Sequence, residues 1–240
     1  MKKEIKEKIN NVLLFSAGID SVSAWFYMDK PKAVYIDMMT KYSKKEMKCI
    51  KNLEKIIPDL KVKIIKGINL GQFEEGVNAF IPNRNLILAS IACNYGNNII
   101  LAGIKDDDVI DKNPIAFQSM SECLTEINTG DIKVISPFWH HSKIDIINWM
   151  HDCVDNAEEI LRTSVSCYSS TEGQFGNCPS CLRKAIAFEA CELSIDFFEN
   201  DVKKSILIPK YINKFKGKNN YNYERITNSL GVFKKWGWKV

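Results

Sequence analysis

Three short stretches of this chain hold residues whose types and spacing can do chemistry. The first is Ser16-Ala17-Gly18-Ile19-Asp20-Ser21, directly after the apolar run Val12-Leu13-Leu14-Phe15. A turn of small and hydroxyl residues between a strand and a helix exposes backbone N–H groups to an anion. Ser16 and Ser21 can donate to phosphate oxygens, and Gly18 offers backbone freedom or close approach. Asp20 fits phosphate only with a proton donor or Mg²⁺ between them. The stretch matches neither the dinucleotide pattern GxGxxG nor the triphosphate loop GxxxxGK[ST], since no lysine closes it. An ordinary turn with Ser and Asp as helix caps is the bland alternative.

The second stretch is Pro82-Asn83-Arg84-Asn85, which opens an apolar helical pattern. An arginine at a helix start opposes the helix dipole unless an anion sits in front of it. A phosphate or a substrate carboxylate would supply that charge, with the guanidinium as a clamp. A merely solvated Arg84 is the competing reading. The third stretch contains Cys167, Cys178 and Cys181, the last two as Cys-Pro-Ser-Cys at a helix start. That pattern fits a tetrahedral metal knuckle, with zinc as the ion expected. A redox pair and unliganded core thiols are the alternatives. Three thiolates leave one position for Cys191, His140, His141, His151, Glu172 or water.

The elements that must position these groups follow from periodicity. Apolar runs at 11–15, 32–38, 61–67, 98–104 and 132–138 read as strands. Helical spacing occupies 21–28, 43–57, 84–96, 142–153, 156–161 and 180–193. Strands separated by helices predict an α/β fold, a doubly wound, mostly parallel five-stranded sheet with helices on both faces. Ligands of such sheets sit beyond the carboxyl ends of the strands, where Ser16–Ser21 falls.

Composition sets further bounds. The chain has 240 residues, 45% of them hydrophobic, enough for one catalytic-size domain. No apolar run reaches membrane-spanning length and no leader pattern opens the chain, so a soluble cytoplasmic protein with no membrane partner is expected. Eight cysteines there read as thiols or metal ligands rather than disulfides. The net charge of +4 is uneven: residues 203–240 carry ten Lys/Arg against Glu224 alone. The chain therefore divides into 1–202, the catalytic domain, and 203–240, a basic extension with interleaved aromatics. That extension is either a solvated end or a docking surface for an acidic protein or a nucleic acid.

Taken together, Phe15-Ser16-Ala17-Gly18-Ile19-Asp20-Ser21 resembles the S-G-G-x-D-S loop of pyrophosphatase-loop enzymes, which adenylate a carbonyl or carboxylate with ATP. Ala17 replaces the first glycine, which demands that this position need no left-handed backbone. Residues 80–85 resemble the F/Y-V-P-x-R-N segment of the 7-cyano-7-deazaguanine synthase (QueC) family, itself built on such a loop. "SCY", "CPSC" and Arg183 resemble that family's four-cysteine zinc segment, with Thr163 upstream of the first ligand. Phe175 stands where the family's second cysteine falls. Lys143 matches a family lysine. The resemblance spans roughly residues 11–192. It thins at 103–117, where the family's deazaguanine-reading loop is two residues longer; Gly103, Asp108 and Phe117 keep comparable places.

The resemblance implies an adenine nucleotide alpha hydrolase-like (HUP-type) fold, ATP, Mg²⁺ and Zn²⁺ as cofactors, and a homodimer. It implies that Ser16, Ala17, Gly18, Ile19, Asp20, Ser21, Asn85, Gly103 and Asp108 hold nucleotide or substrate. Asp20, Arg84 and Lys143 would act in catalysis, Asp20 by placing Mg²⁺. The implied reaction adenylates 7-carboxy-7-deazaguanine and lets ammonia form first the amide and then the nitrile. Three alternatives stand beside it. One is transfer of the activated deazaguanine to an amine of a partner protein, as in QueC-like proteins of antiviral operons. The others are a tRNA-modifying pyrophosphatase and a non-catalytic, zinc-stabilised nucleotide-binding module.

Overall fold

The computed structural model describes residues 10–75, 80–105, 107, 109–169, 173–216 and 223–240. In chain order the elements are β1 (Asn11–Leu14), α1 (Ile19–Tyr27), β2 (Lys32–Ile36), α2 (Ser43–Ile56), β3 (Val62–Ile65) and α3 (Arg84–Ala92). They continue as β4 (Asn98–Ile100), α4 (Pro114–Ile127), β5 (Lys133–Ile135), α5 (Lys143–Cys153), α6 (Ala157–Thr163), α7 (Pro179–Ala190), α8 (Ile208–Lys216) and α9 (Tyr223–Lys235).

The five strands form one sheet in the order β3-β2-β1-β4-β5, and every pairing is parallel. Parallel strands are covered on both faces, which is why β1 reads as unbroken apolar sequence rather than alternation. Leu13 and Phe15 pack on one face with α1, α2, α5, α6 and α7 residues such as Val22, Leu53, Ile147 and Phe188. Val12 and Leu14 pack on the other with Ala89 and Ala92 of α3 and Phe117, Met120 and Leu124 of α4. Each fully buried large side chain contributes about 1.5–3 kcal/mol relative to exposure. Because β1 lies between β2 and β4, the connections leave it toward opposite faces and open a crevice at its carboxyl end.

Two findings extend the sequence reading. α4 is an additional helix, begun by Asn113, whose side chain accepts from Ala116 N at 2.9 Å, with Pro114 at its first position. The described residues of the basic segment, 203–216 and 223–240, are folded rather than a solvated end. Ile208, Ile212 and Phe215 of α8 and Val232 and Phe233 of α9 form a cluster with Leu182, Ala185 and Ile186 of α7. Its lysines cover the outside of these helices, which hid the apolar stripe. Among the described residues, no helix is long and apolar enough to cross a membrane.

Candidate functional site

A cleft of ≈ 240 Å³ lies beyond the carboxyl ends of β1, β2 and β4. Ser16, Gly18, Ile19, Asp20 and Ser21 line it. Gly18 is the N-cap of α1 and supplies no side-chain cap, so the first N–H groups of that helix remain for a ligand. Ser16 Oγ lies 3.3 Å from Ser21 Oγ, which donates to Gly18 O at 3.0 Å.

The backbone of this turn corrects the expectation drawn from the alanine. Ala17 is left-handed, with φ 59°, whereas Gly18 is extended at φ −78° and ψ 162°. The strained position is therefore 17, at a cost of about 1–2 kcal/mol for a residue with a Cβ. Burial offsets that cost: Ala17 is fully buried in the core, and its carbonyl accepts from Val165 N at 2.9 Å. An added Cβ at Gly18 would meet Val165 O at 3.4 Å, an ordinary contact.

Asp20 meets Lys143 across the cleft, Nζ to Oδ1 at 2.5 Å. Lys143 opens α5, where a cation opposes the dipole. A capping box between Ser142 and Asp145 fixes that helix start, with the Asp145 carboxylate beside it.

The β2 side of the cleft carries a partly buried acid. Glu46 accepts from Tyr35 Oη at 2.8 Å. Burial pushes the Glu46 carboxyl up to about 7, against the opposing effects of the Tyr35 hydrogen bond and Arg84. Tyr42 is pushed up to about 12 by burial and then by Glu46. Arg84 is the first residue of α3 and lines the same cleft. Some of the negative charge expected before α3 is the chain's own: Asp111 Oδ2 accepts from Asn85 N at 3.4 Å. Asn85 Nδ2 donates to Asp111 O at 3.3 Å, so Asn85 holds this loop against the cleft wall.

Cys167, Cys178 and Cys181 place their sulfurs within 4.8 Å of one another. Cys178 caps α7, its sulfur 3.4 Å from Cys181 N and 3.3 Å from Cys181 Sγ. Four thiolates at the usual zinc bond length stand about 3.8 Å apart, so the trio fits one ion with small adjustment. Hydrogen bonds from the Cys178 and Cys181 thiols lower the Cys167 pKa. Among the described residues no fourth side chain joins the trio. Cys191 turns its sulfur to Ile144 O, and the His141 ring stacks with Tyr27 and Phe138; Glu172 lies outside the described residues. The Phe175 carbonyl accepts from Asn200 Nδ2 at 2.6 Å, which ties this loop to the C-terminal segment.

Behind the cysteines Lys184 is buried, its Nζ donating to Ser164 O at 2.6 Å, Gln174 Oε1 at 3.1 Å and Arg162 O at 3.2 Å. Burial lowers its pKa to about 7.

Of the residues singled out from sequence, Ser16, Gly18, Ile19, Asp20, Ser21, Arg84, Asn85, Lys143 and Cys167 share the cleft wall. Four do not: Cys178 and Cys181 stand with Cys167 in the sulfur cluster, and two more lie elsewhere. Ala17 faces the core, and Gly103 makes room for Trp139, whose ring an added Cβ would meet at 2.3 Å. Asp108 lies outside the described residues. Sequence reasoning missed Tyr35, Glu46, Lys112 and Tyr168, all in the cleft. Glu46 in the first turn of a lysine-rich helix was the one legible signal; nothing local marks the others.

The family model described as "Queuosine biosynthesis protein QueC" matches residues 10–192. The chain is 24% identical to 7-cyano-7-deazaguanine synthase 1 of Desulfitobacterium hafniense (strain Y51) over 207 residues, 75% of this chain and 92% of that protein. It is 28% identical to the 7-cyano-7-deazaguanine synthase of Pseudoalteromonas translucida (strain TAC 125) over 133 residues, 52% of this chain and 59% of that one. The synthase of Methanosphaera stadtmanae is 28% identical over 122 residues, 48% of this chain and 52% of its own length. The alignments to the last two thus span little more than half of those proteins.

Proposed function

The chain belongs to the QueC family, and from that membership and the cleft we propose that it uses ATP to adenylate the carboxylate of 7-carboxy-7-deazaguanine. The observation that carries the reading is the Asp20–Lys143 pair, set beside an uncapped helix N-terminus at the end of the first strand.

A carboxylate is a poor acyl donor because its oxygen leaves badly. Attack of that oxygen on the α-phosphorus breaks the bond to the bridging oxygen and releases pyrophosphate. Ser16, Ser21 and the first N–H groups of α1 hold the departing pyrophosphate. Mg²⁺ bound at Asp20 would neutralise phosphate charge. Lys143 and Arg84 would balance the charge that grows in transfer. Ammonia adds to the acyl carbon, AMP leaves, and a proton is lost to give the amide. A second ATP adenylates the amide oxygen with release of pyrophosphate, and loss of AMP together with the two amide protons gives the nitrile. Zinc at Cys167, Cys178 and Cys181 would tie the loop before α7 to that helix.

Purified protein with ATP, Mg²⁺ and 7-carboxy-7-deazaguanine should release pyrophosphate only when all three are present. Pyrophosphate release independent of the acid, or none at all, overturns the reading.

A second reading keeps the adenylation and changes the acceptor to an amine of a partner protein. It is favoured by the loop from Gly103, where Lys105 pairs with Glu224 of the C-terminal segment in place of the family's substrate-reading sequence. Mass spectrometry separates the two. Multiple-turnover nitrile formation from ammonium alone favours the synthase; a deazaguanine mass on a protein amine favours transfer.

A further inference from the structure

The cleft opens into a second chamber of ≈ 150 Å³. Asp20 and Lys143 line both, so groups held on the two sides would meet at that pair. The far wall of the second chamber comes from α8 and α9, which pack on α7. That chamber takes no residue from β2 or α2. The first cleft does, and the chemistry above leaves three of them unused: Tyr35 of β2, and Tyr42 and Glu46 at the start of α2.

We propose that this wall is the base-reading end of the nucleotide site. Glu46 accepts from the exocyclic amine of the ATP adenine, and Tyr42 donates to the ring nitrogen beside it. The proposal rests on the adenylation reading above and adds which side chains recognise the nucleotide.

The first argument is unmet hydrogen-bonding capacity. Tyr35 Oη donates to one Glu46 oxygen, Oε2, at 2.8 Å. Among the described residues nothing donates to the other, Oε1. Tyr42 is only 3% exposed, and its hydroxyl has no hydrogen-bond partner among the described residues. Glu46 N donates to Tyr42 O at 3.1 Å, which sets the two residues one helical turn apart. Buried polar groups are ordinarily paired, so two unmet groups at this spacing call for a ligand. Burial raises the Glu46 carboxyl, and an N–H donor at Oε1 would stabilise its charged form and lower it again.

The second argument is the surroundings. Val34, Ile36, Met38, Leu88 and Leu101 line the same cleft. Apolar walls with a few placed polar groups suit a flat heteroaromatic base whose edge alone is polar. The third is continuity. Ser16 and Ser21 border the same cavity as Tyr42 and Glu46, so one nucleotide can set its phosphates at the turn and its base at this wall.

The test is calorimetric titration of the full chain with ATP and with purine riboside 5′-triphosphate, which lacks the exocyclic amine. Both titrations contain Mg²⁺ and no acid. Wild type should bind ATP about tenfold more tightly, the worth of one hydrogen bond to a carboxylate. Glu46→Ala should bring ATP down to the affinity of the second ligand and move that ligand by less than about twofold. Glu46→Gln keeps an acceptor and should keep part of the preference. Tyr42→Phe should weaken both ligands about threefold and preserve their ratio, since both carry the ring nitrogen. Thermal melting confirms that each variant is folded, and the wild-type ratio needs no variant at all. If wild type binds both triphosphates equally, or if Glu46→Ala keeps the preference for ATP, the inference falls alone. If Tyr42→Phe binds both as wild type does, its hydroxyl has no part in the site. If Glu46→Ala weakens 7-carboxy-7-deazaguanine and leaves ATP unchanged, the amine read here is the acid's, and the assignment to the nucleotide is overturned. If wild type binds neither triphosphate, the adenylation reading falls and takes the inference with it.

Discussion

The Lys143 ammonium donates to Asp20 at 2.5 Å, joining the first turn of α5 to the first turn of α1 where the two chambers meet. Both side chains are only about one fifth exposed, at 21% and 20%. Asp20→Asn and Lys143→Met should each lower acid-dependent pyrophosphate release by about 10²–10³-fold, the usual effect of deleting a group that stabilises developing charge. Ser16→Ala should act in the same direction. Circular dichroism should stay native. A wild-type rate in any folded variant would remove that residue from the chemistry.

The cysteine trio leads to a metal count. Purified protein should carry about one zinc per chain by elemental analysis. Cys181→Ser should lose that zinc and lower the melting temperature, because Cys181 is fully buried within the cluster. Metal-free protein prepared without chelator would overturn the assignment.

Lys184 carries a larger structural cost than its place beside the chamber implies. Lys184→Met should destabilise the protein by about 2–4 kcal/mol, since Ser164 O, Arg162 O and Gln174 Oε1 lose a common donor. Urea denaturation measures this directly. A change below 0.5 kcal/mol would mean that water replaces the ammonium.

Glu46 makes stability depend on pH. Its folded pKa, about 7, exceeds the unfolded value of 4.5. The folded state therefore binds the extra proton between these limits, and the contribution present below pH 4.5 is lost as pH rises through 7. For one group the full difference is about 3 kcal/mol at most, reduced by the residual solvent contact of this part-exposed side chain. Denaturation at pH 5 and pH 7.5 should show a steeper loss in wild type than in Glu46→Gln. Equal slopes would place an ordinary carboxylate at this position.

Local chemistry explains what was legible in the sequence. The strand–turn–helix at Ser16, the helix start at Arg84 and the three cysteines are each set by neighbouring residues. Their side chains occupy the places that these patterns require. α4 had a readable start in Asn113-Pro114, but the acidic run before it obscured the change of period. Ala17 was misjudged because its backbone is dictated from outside, by Val165 and the core around it. The second chamber could not be read at all. Its walls come from separate parts of the chain, between Asp20 and Ser229, and no single spacing records that they meet.

The anchoring of α9 on α7 has a consequence for synthesis. The chamber joins Asp20 to Ser229, so nearly the whole chain must emerge from the ribosome before its wall exists. The sheet and the turn from Ser16 to Ser21 depend on no strand pairing with α9 and can form earlier. A nascent chain thus passes through a stage with the cleft formed and an open flank. Pairing Lys105 with Glu224 spans 119 residues, a long loop to close. Competence for catalysis would then arrive late and abruptly, as α9 docks.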